Sequence, residues 1–275
     1  MTKAERFFEM LKNKKVAFIV TGVSHLELIR LFLAKGINVV VCDKKDKDKF
    51  DKEIYDEFSS KGAEFSLGEN YLDAIFGCDV IFRTPGMNYY LPELVKAREN
   101  GIAVTSEMEV FFEVCPATIF AVTGSDGKTT TTTLIAKMLE AEGKKVHIGG
   151  NIGRPLLPLI EEINHDDYVV VELSSFQLIS MRKSPDVAVV TNVAPNHLDV
   201  HKDMDEYVEA KKNILLHQNA FSRTVLNRDN DITEDFRKDV RGQSLGFSMT
   251  RRLNNGAWLD DDGMLHMAYR GIDVP

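Results

Sequence analysis

Cysteine is scarce in this sequence, and its spacing suits neither a disulfide framework nor a zinc site. The 275 residues include three cysteines, Cys42, Cys78 and Cys115, with no Cys-x-x-Cys pair. An odd number of widely spaced cysteines argues against paired structural disulfides and against a site of paired metal-binding thiolates. We therefore expect reduced thiols, as is usual in a cytosolic protein.

Long apolar runs are also missing. The chain begins Met-Thr-Lys-Ala-Glu-Arg-Phe-Phe-Glu, which carries acidic residues and has no apolar core of the kind found in a signal peptide. No stretch approaches the roughly 20 apolar residues that a membrane-spanning helix needs. These absences predict a cytoplasmic protein that has no membrane partner.

Positive charge is not concentrated in any part of the chain. Lysine and arginine total 34 against 42 acidic residues, so the formal net charge is -8. The busiest segment, residues 44–52, alternates lysine with aspartate, which is typical of a solvated loop. Without a basic track, nucleic acid is not an expected partner. A bound anion would have to be held by local backbone N–H groups and single charges.

What the chain does have is the composition of a globular protein and the length for two domains. Hydrophobic residues make up 44% and charged residues 28%. In residues 1–105, short apolar runs alternate with helical patterns. The predicted strands there are Val16–Val20, Val39–Cys42, Ala63–Ser66, Val80–Phe82 and Ile102–Thr105. Continuous apolar strands between helices indicate a parallel sheet covered on both faces, so this part is predicted to be a Rossmann-like domain.

A second α/β domain is predicted for residues 106–275, with a mostly parallel sheet. Its predicted strands are Thr118–Val122, Val146–Ile148, Tyr168–Leu173, Val187–Thr191 and Thr224–Asn227. After about Gln243, short runs separated by Asn254-Asn255-Gly256 and by Asp261-Asp262-Gly263 predict terminal β-hairpins at the edge of this domain. The chain stops at Pro275 without a closing helix, and we expect the domain to be incomplete at its C-terminal end.

The strongest chemical signal is a glycine-containing loop between a predicted strand and a predicted helix. It reads Thr123-Gly-Ser-Asp-Gly-Lys-Thr129, a phosphate-binding loop of the P-loop type. Such a loop aims backbone N–H groups and a helix N-terminus at an anion. Val122 stands where the general pattern has its first glycine, so we predict a shorter variant. The residues predicted to bind ATP are Gly124, Ser125, Asp126, Gly127, Lys128, Thr129 and Thr130.

Two further side chains lie where ligand-binding residues of an open α/β sheet are expected. Glu172 ends a predicted strand, and its carboxylate suits Mg²⁺, which prefers oxygen ligands. His197 follows the next strand at the same predicted edge. Lys211 lies beside Lys212 on a later helix, and the pattern there indicates only a solvated helix face.

The order of five motifs resembles the Mur ligase family. The motifs are Gly124-Ser-Asp-Gly-Lys-Thr-Thr, Gly149-Gly-Asn-Ile-Gly-Arg-Pro155, Glu172-Leu-Ser-Ser-Phe-Gln177, Asn192-x-x-x-x-His197-Leu-Asp199 and Tyr207-x-x-Ala-Lys211. The resemblance covers both predicted domains, essentially the whole chain, and the versions of these motifs resemble the D-glutamate-adding branch of the family. The resemblance implies an ATP-dependent, ADP-forming amide ligase. It would join D-glutamate to UDP-N-acetylmuramoyl-L-alanine through an acyl phosphate, as a step of peptidoglycan synthesis.

The resemblance also implies a role for individual residues. Lys128, His197 and Lys211 would be catalytic, and Lys211 would match the family's carbamylated lysine. The implied ligands of Mg²⁺ are Thr129, Glu172, His197 and Lys211. The implied substrate-binding residues are Thr21, Gly22, Val23, Ser24, Asp43, Lys44, Thr84, Pro85, Gly86, Asn151 and Ser174. We further expect a monomer.

Two features depart from the family's pattern. Val20 stands where relatives have the first glycine of a Gly-x-Gly loop, and its Cβ is predicted to crowd a pyrophosphate. The family's third domain, which binds the incoming amino acid, has no counterpart before Pro275. We therefore expect a shortened ligase that binds its ligands but has little or no activity.

Three other functions compete with this interpretation. A dehydrogenase would need a Gly-x-Gly-x-x-Gly fingerprint, but Val20, Gly22 and His25 occupy those positions, so only one glycine is present. Folylpolyglutamate synthetase, a ligase of the same superfamily, lacks a UDP-binding first domain of this kind. A non-catalytic module that binds a UDP-sugar or a nucleotide remains the alternative from a different class.

Overall fold

The chain forms two compact units in the computed structural model, which describes residues 1–19, 22–195, 201–270 and 272–274. The first unit comprises Met1–Pro116 and Arg154–Ile163. The second comprises Ala117–Gly153 and Asn164–Pro275.

A five-stranded parallel sheet forms the centre of the first unit. Its strands are β1 Lys15–Ile19, β2 Asn38–Asp43, β3 Glu64–Leu67, β4 Val80–Phe82 and β5 Ala103–Thr105. Their order is β3-β2-β1-β4-β5, and every neighbouring pair is parallel. This is the strand order of a Rossmann fold, so the fold class predicted for this part is confirmed. The carboxyl ends of β1, β2 and β4 lie at one edge of the sheet.

Helices cover this sheet, and aromatic side chains fill one of the interfaces. The helices are α1 Lys3–Leu11, α2 Val23–Ala34, α3 Lys52–Ser60, α4 Pro92–Glu99 and α5 Glu107–Val114. The ring of Phe32 on α2 lies 5.1 Å from that of Phe18 on β1 and 5.3 Å from that of Phe82 on β4. All three side chains are fully buried. Burial of each stabilises the fold by about 2 kcal/mol relative to an exposed ring.

The boundary between the units differs from the predicted one at residue 105. Helix α5 belongs to the first unit, and so does the segment Arg154–Ile163, which returns to it from the second unit. The buried carboxylate of Glu107 holds that segment, because its Oε1 accepts hydrogen bonds from the N–H groups of Leu156 and Leu157 at 3.0 and 2.8 Å. Burial raises the pKa of Glu107, and these two bonds oppose the rise.

A nine-stranded sheet forms the second unit. Its strands are β6 Thr118–Thr123, β7 Val146–Gly150, β8 Tyr168–Glu172, β9 Val187–Val190, β10 Arg223–Asn227, β11 Gln243–Ser248, β12 Gly256–Leu259, β13 Leu265–Tyr269 and β14 Ile272–Val274. Their order is β14-β13-β12-β11-β10-β9-β6-β8-β7, and all pairs from β7 to β12 are parallel. The mostly parallel α/β fold predicted for this part is therefore confirmed.

The helices of the second unit follow its strands. They are α6 Lys128–Ala141, α7 Ser175–Leu178, α8 Met204–Leu216 and α9 Asp231–Asp235. Across the ranges given above, no helix combines the length and the apolar character needed to span a membrane.

Of the two turns predicted to form terminal hairpins, one does and the other does not. The turn Asp261-Asp262-Gly263 joins β12 and β13, which are antiparallel, and β13 pairs in the same way with β14. The turn at Asn254-Asn255-Gly256 does not form a hairpin, because β11 and β12 are parallel. Strand β11 continues the parallel order set by β10, and the chain must cross back before β12 begins.

The side chains of all three cysteines are buried. Burial raises the pKa of Cys42 to about 12 and that of Cys78 to about 11. At neutral pH both are protonated, unreactive thiols.

Candidate active site

The candidate site lies at the carboxyl edge of the second sheet, where parallel strands bring several loops together. Val122 of β6 is in register with Glu172 of β8, and Thr123 is in register with Val190 of β9. Gly150 of β7 pairs with Glu172 from the other side. Ligands of open α/β sheets bind at such an edge, beyond the carboxyl ends of the strands.

Two glycines shape the phosphate-binding loop between β6 and α6. Gly127 precedes the first residue of α6 and has a φ of 78°, a conformation that favours glycine. Gly124 approaches the loop after β9 so closely that a Cβ would lie 1.8 Å from Oγ1 of Thr191. The loop therefore needs glycine at both positions, and the first turn of α6 follows it directly, as the sequence predicts.

The side chains after β9 hold this loop in place. The Oδ1 of Asn192 accepts hydrogen bonds from the N–H groups of Ser125 and Asp126 at 3.0 and 2.9 Å. The hydroxyl of Thr191 donates to the carbonyl of Asp126 at 2.6 Å. Sequence reasoning did not select Thr191 and Asn192 as site residues. Their position immediately after a buried strand at the ligand edge was the available signal.

Glu172 connects two other candidate residues, Thr129 and Asn151. Its carboxylate is buried, with the residue 2% exposed. One oxygen accepts a hydrogen bond from the Thr129 hydroxyl at 2.6 Å, and the other accepts from the Asn151 side-chain amide at 2.8 Å. The structure thus brings together residues from α6, β8 and the loop after β7.

Two lysines approach the loop from different helices. Nζ of Lys128, at the start of α6, donates to the carbonyl of Ser125 at 2.9 Å. Nζ of Lys211, on α8, donates to the carbonyl of Gly124 at 2.8 Å. Lys211 is 2% exposed and lies over the Tyr207 ring. The prediction that it lies on a solvated helix face is therefore wrong.

The environment of Lys211 favours a neutral amine. Burial, followed by the positive charge of Lys128, lowers the pKa of Lys211 to about 7, although Asp126 opposes the shift. Near neutral pH a substantial share of this side chain is therefore unprotonated. An unprotonated amine is nucleophilic, whereas an ammonium group is not.

Lys211 should make the stability of the chain depend on pH. Between pH 7 and the ordinary lysine value of about 10.4, the unfolded chain keeps a proton that the folded chain releases. The free energy of unfolding should therefore rise with pH in this window, by up to about 1.4 kcal/mol per unit from this group. Urea unfolding of the parent and of Lys211→Met at several pH values measures the effect.

The matched control is Lys137→Met, since Lys137 is an exposed lysine on α6. We expect the control to keep the parent's pH dependence and Lys211→Met to lose this rise. Parallel pH curves for all three proteins would contradict the assignment of the lowered pKa to Lys211.

Tyr207 of α8 contacts the same loop, and His201 packs against the Tyr207 ring. The Tyr207 hydroxyl lies 3.0 Å from Oγ of Ser125. The buried His201 lies 2.8 Å, through Nε2, from Oγ of Ser175. Ser174, a predicted substrate-binding residue, begins α7 as its N-cap and accepts a hydrogen bond from the N–H of Gln177 at 3.3 Å. Its role toward a substrate stays a prediction.

The oxygen atoms around Glu172 fit a hard divalent cation. The Thr129 hydroxyl and the Glu172 carboxylate supply two oxygen donors within 2.6 Å of each other. Mg²⁺ is commonly held by one or two carboxylates together with phosphate and water oxygens. Among the described residues no group of three or more His, Cys, Asp or Glu side chains is placed to hold a metal. The fourth predicted ligand, His197, lies outside the described residues.

The candidate residues of the first unit also meet at one sheet edge. Gly22 precedes α2 as its N-cap, and the backbone of Val23 and Ser24 forms the first turn of that helix. Asp43 ends β2, is 3% exposed and accepts a hydrogen bond from the N–H of Lys45 at 3.0 Å. Lys44 follows it and is exposed.

The remaining residues predicted for the first unit follow β4. Thr84, Pro85 and Gly86 lie directly after Arg83, whose N–H donates to the carbonyl of Thr105 at 2.9 Å. Thr21 and Val20 lie outside the described residues. The edge therefore gathers the predicted substrate-binding loops, while their roles stay predictions.

Together, the glycine loop, the lysine at its helix and the carboxylate beside it form a P-loop-type arrangement at the edge of an α/β sheet. Two family descriptions match the chain: the Mur ligase middle domain over residues 122–268, and the MurD-like N-terminal domain of Mur ligases over residues 14–106. The chain belongs to the Mur ligase family. Mur ligases are ATP-dependent ligases and in general use Mg²⁺.

Two curated relatives of this chain share one name. The chain is 56% identical over 261 residues to the UDP-N-acetylmuramoylalanine–D-glutamate ligase of Acetivibrio thermocellus, covering 95% of this chain and 56% of the relative. It is 49% identical to the ligase of that name from Clostridium acetobutylicum, covering 95% and 57%. The chain thus spans a little over half the length of these curated relatives.

Solved structures support the fold. A UDP-N-acetylmuramate:L-alanyl-gamma-D-glutamyl-meso-diaminopimelate ligase from Neisseria meningitides aligns with a TM-score of 0.58 at 18% identity, over 94% of this chain and 85% of that chain. A murein peptide ligase from Psychrobacter arcticus aligns with a TM-score of 0.53 at 16% identity, over 89% and 56%.

Proposed function

We propose that this chain carries the UDP-sugar-binding and ATP-binding parts of a ligase that adds D-glutamate to UDP-N-acetylmuramoyl-L-alanine. The observation that carries the proposal is the convergence of Lys128, Thr129, Glu172 and Lys211 around one phosphate-binding loop. The shared name of relatives at 49–56% identity supports the choice of substrates.

The residues of the loop would bind the phosphates of ATP. The N-terminus of α6, where no side chain caps the first N–H groups, would provide donors for phosphate oxygens. Lys128 would offset the negative charge that develops on the leaving and transferring phosphoryl oxygens. Thr129 and Glu172 would hold Mg²⁺, which when bound offsets the negative charge of the phosphates.

The proposed reaction has two steps. An oxygen of the substrate's terminal carboxylate attacks the γ-phosphorus, and the bond to the bridging oxygen breaks, which releases ADP and leaves an acyl phosphate. The amine of D-glutamate then attacks the acyl carbon, loses a proton, and phosphate leaves as the amide forms. Positioning and charge stabilisation account for most of the catalysis expected in phosphoryl transfer.

Lys211 would act as a carbamate. Its amine, with a pKa lowered to about 7, is unprotonated often enough to attack CO₂. The product, after loss of a proton, is an oxygen-donor anion next to the loop. The change from a cation to an anion would turn this side chain into a further ligand for Mg²⁺.

Calorimetry with Mg-ATP and, separately, with UDP-N-acetylmuramoyl-L-alanine tests the proposal. We expect the chain to bind both. If only Mg-ATP bound, the second unit would keep its proposed role and the first would need another ligand. If neither bound, the proposal would be wrong.

Glu172→Gln should separate metal binding from nucleotide binding. Glutamine keeps the size of the side chain but removes the negative charge. We therefore expect the gain in ATP affinity that Mg²⁺ provides to fall by about tenfold. ATP affinity is measured with and without Mg²⁺ in this variant and in Glu140→Gln, an exposed control on α6. An equal benefit from Mg²⁺ in both variants would contradict the proposed ligand.

A further inference from the structure

Asn151 is bonded to both the main chain and the side chain of Glu172. Its backbone N–H donates to the carbonyl of Glu172, and its side-chain nitrogen donates to Oε1 of the same residue, each at 2.8 Å. The nitrogen of the amide has to face Oε1, because the amide oxygen and the carboxylate would both be acceptors. The substrate-binding role that the family resemblance implies for Asn151 does not account for these two bonds.

The register of two parallel strands places Asn151 beside this carboxylate. Gly150 of β7 is in register with Glu172, the last residue of β8. A Cβ at Gly150 would lie 2.2 Å from the carbonyl oxygen of Glu172, so only glycine allows the two chains to approach so closely here. The next residue, Asn151, therefore reaches the Glu172 carboxylate where the strands end, and the sheet itself fixes its position.

The two oxygens of the Glu172 carboxylate have different neighbours. Oε1 faces the amide nitrogen of Asn151, whereas Oε2 accepts a hydrogen bond from the Thr129 hydroxyl at 2.6 Å. An amide nitrogen donates hydrogen bonds and offers no lone pair to a cation. A hydroxyl oxygen has lone pairs and can bind Mg²⁺ beside a carboxylate oxygen. A cation therefore fits on the side of Oε2, while Oε1 stays bonded to the protein.

We propose that Asn151 is a positioning residue for the magnesium site: it retains Oε1 of Glu172, so that Oε2 and the Thr129 hydroxyl face the cation. The inference rests on the proposed function, because it requires Mg-ATP to bind at this loop. Glu172 is 2% exposed, and loss of the Asn151 amide would leave a buried oxygen without its donor and the carboxylate free to turn. Loss of a partner that orients a metal ligand costs about 10- to 100-fold in metal affinity.

Calorimetry of ATP binding with and without Mg²⁺ tests this role in Asn151→Leu, which keeps a side chain of similar size but cannot donate. We expect the gain in ATP affinity from Mg²⁺ to fall by about tenfold, while ATP affinity without Mg²⁺ stays within about threefold of the parent. A tie that only stabilised the fold would leave the gain unchanged. The matched control is Asn38→Leu, at an exposed asparagine that begins β2 in the first unit, and it should keep the full gain. Thermal melting checks that each variant is folded.

The double variant Asn151→Leu with Glu172→Gln shows whether Asn151 acts through Glu172. Once the charge of Glu172 is absent, loss of its orienting partner should have no further effect on the cation. We therefore expect the double variant to keep the same gain from Mg²⁺ as Glu172→Gln alone, since residues that act as one unit give non-additive losses. Additive losses would mean that Asn151 affects the cation independently of Glu172, and would overturn the inference.

The remaining outcomes separate this inference from the proposed function. A full gain from Mg²⁺ in Asn151→Leu would overturn the inference and leave the proposed function unaffected. The same holds if Asn151→Leu weakens only the binding of UDP-N-acetylmuramoyl-L-alanine, because Asn151 would then serve the substrate alone. Absence of any gain from Mg²⁺ in the parent would overturn the inference together with the proposed magnesium site.

Discussion

Lys128→Met is expected to weaken binding of Mg-ATP by roughly a hundredfold, which corresponds to about 2.7 kcal/mol. Methionine keeps the length of the side chain but removes the cation that lies at the start of α6. That cation is held against the loop by its bond to the carbonyl of Ser125. Its charge is therefore already in place when the phosphates arrive, and little energy is spent on ordering it.

The same substitution should act on Lys211. The charge of Lys128 is the second cause of the low pKa of Lys211, after burial. Its removal should raise that pKa, so that the pH-dependent gain in stability begins at a higher pH than in the parent. This second readout does not depend on nucleotide binding.

Lys137→Met serves as the matched control, because Lys137 lies on the same helix but is exposed. Calorimetry at one fixed salt concentration compares the three proteins, since screening changes the interaction of exposed charges. An affinity of Lys128→Met within about threefold of the parent, a difference below 1 kcal/mol, would contradict a role for this lysine in phosphate binding.

Much of the fold could be predicted because its strands are buried on both faces. Runs such as Val39–Cys42 and Val187–Val190 are apolar throughout, and their alternation with helices leaves few arrangements other than parallel sheets. The phosphate-binding loop was equally predictable, since it combines fixed residue types with a fixed context of strand and helix. Local signals suffice where the local sequence determines the backbone.

Other features depend on contacts between distant parts of the chain. The start of helix α1 is a local exception, since it carries a capping box in which Thr2 and Glu5 exchange hydrogen bonds. By contrast, nothing local shows that Arg154–Ile163 packs with the first unit, because the bonds to Glu107 span about 50 residues. The turn at Asn254–Gly256 has the composition of a hairpin, yet the parallel pairing of β10 with β11 prevents one.

The candidate site shows the same division. Lys128, Thr129 and Glu172 follow strands or a glycine loop, so their position at the ligand edge can be predicted. Lys211 has the sequence context of an exposed helix face, and only the packing of α8 against the loop buries it. Asn192 belongs to one of the five motifs, but only the fold brings its side chain to the N–H groups of the loop.

Gly150→Ala is expected to destabilise the chain by about 3 kcal/mol or more, well beyond an ordinary glycine substitution. Gly150 has a φ of 94°, and a Cβ there would lie 2.2 Å from the carbonyl oxygen of Glu172 and 3.1 Å from its carbonyl carbon. These are backbone atoms, which cannot rotate away as a side chain can. The end of β7 must therefore separate from β8, which would break the bonds from the N–H and the side-chain amide of Asn151 to Glu172.

Gly143→Ala isolates the steric part of this effect. Gly143 also has a positive φ, 73°, but no atom lies within 4 Å of the position that a Cβ would take. We expect that control to lose about 1 kcal/mol through backbone strain alone. Urea unfolding compares the two, and equal losses would contradict a steric clash with Glu172. Where Gly150→Ala still folds, its weaker response to Mg²⁺ in ATP binding should match that of Glu172→Gln, because the displaced carboxylate would no longer meet the Thr129 hydroxyl.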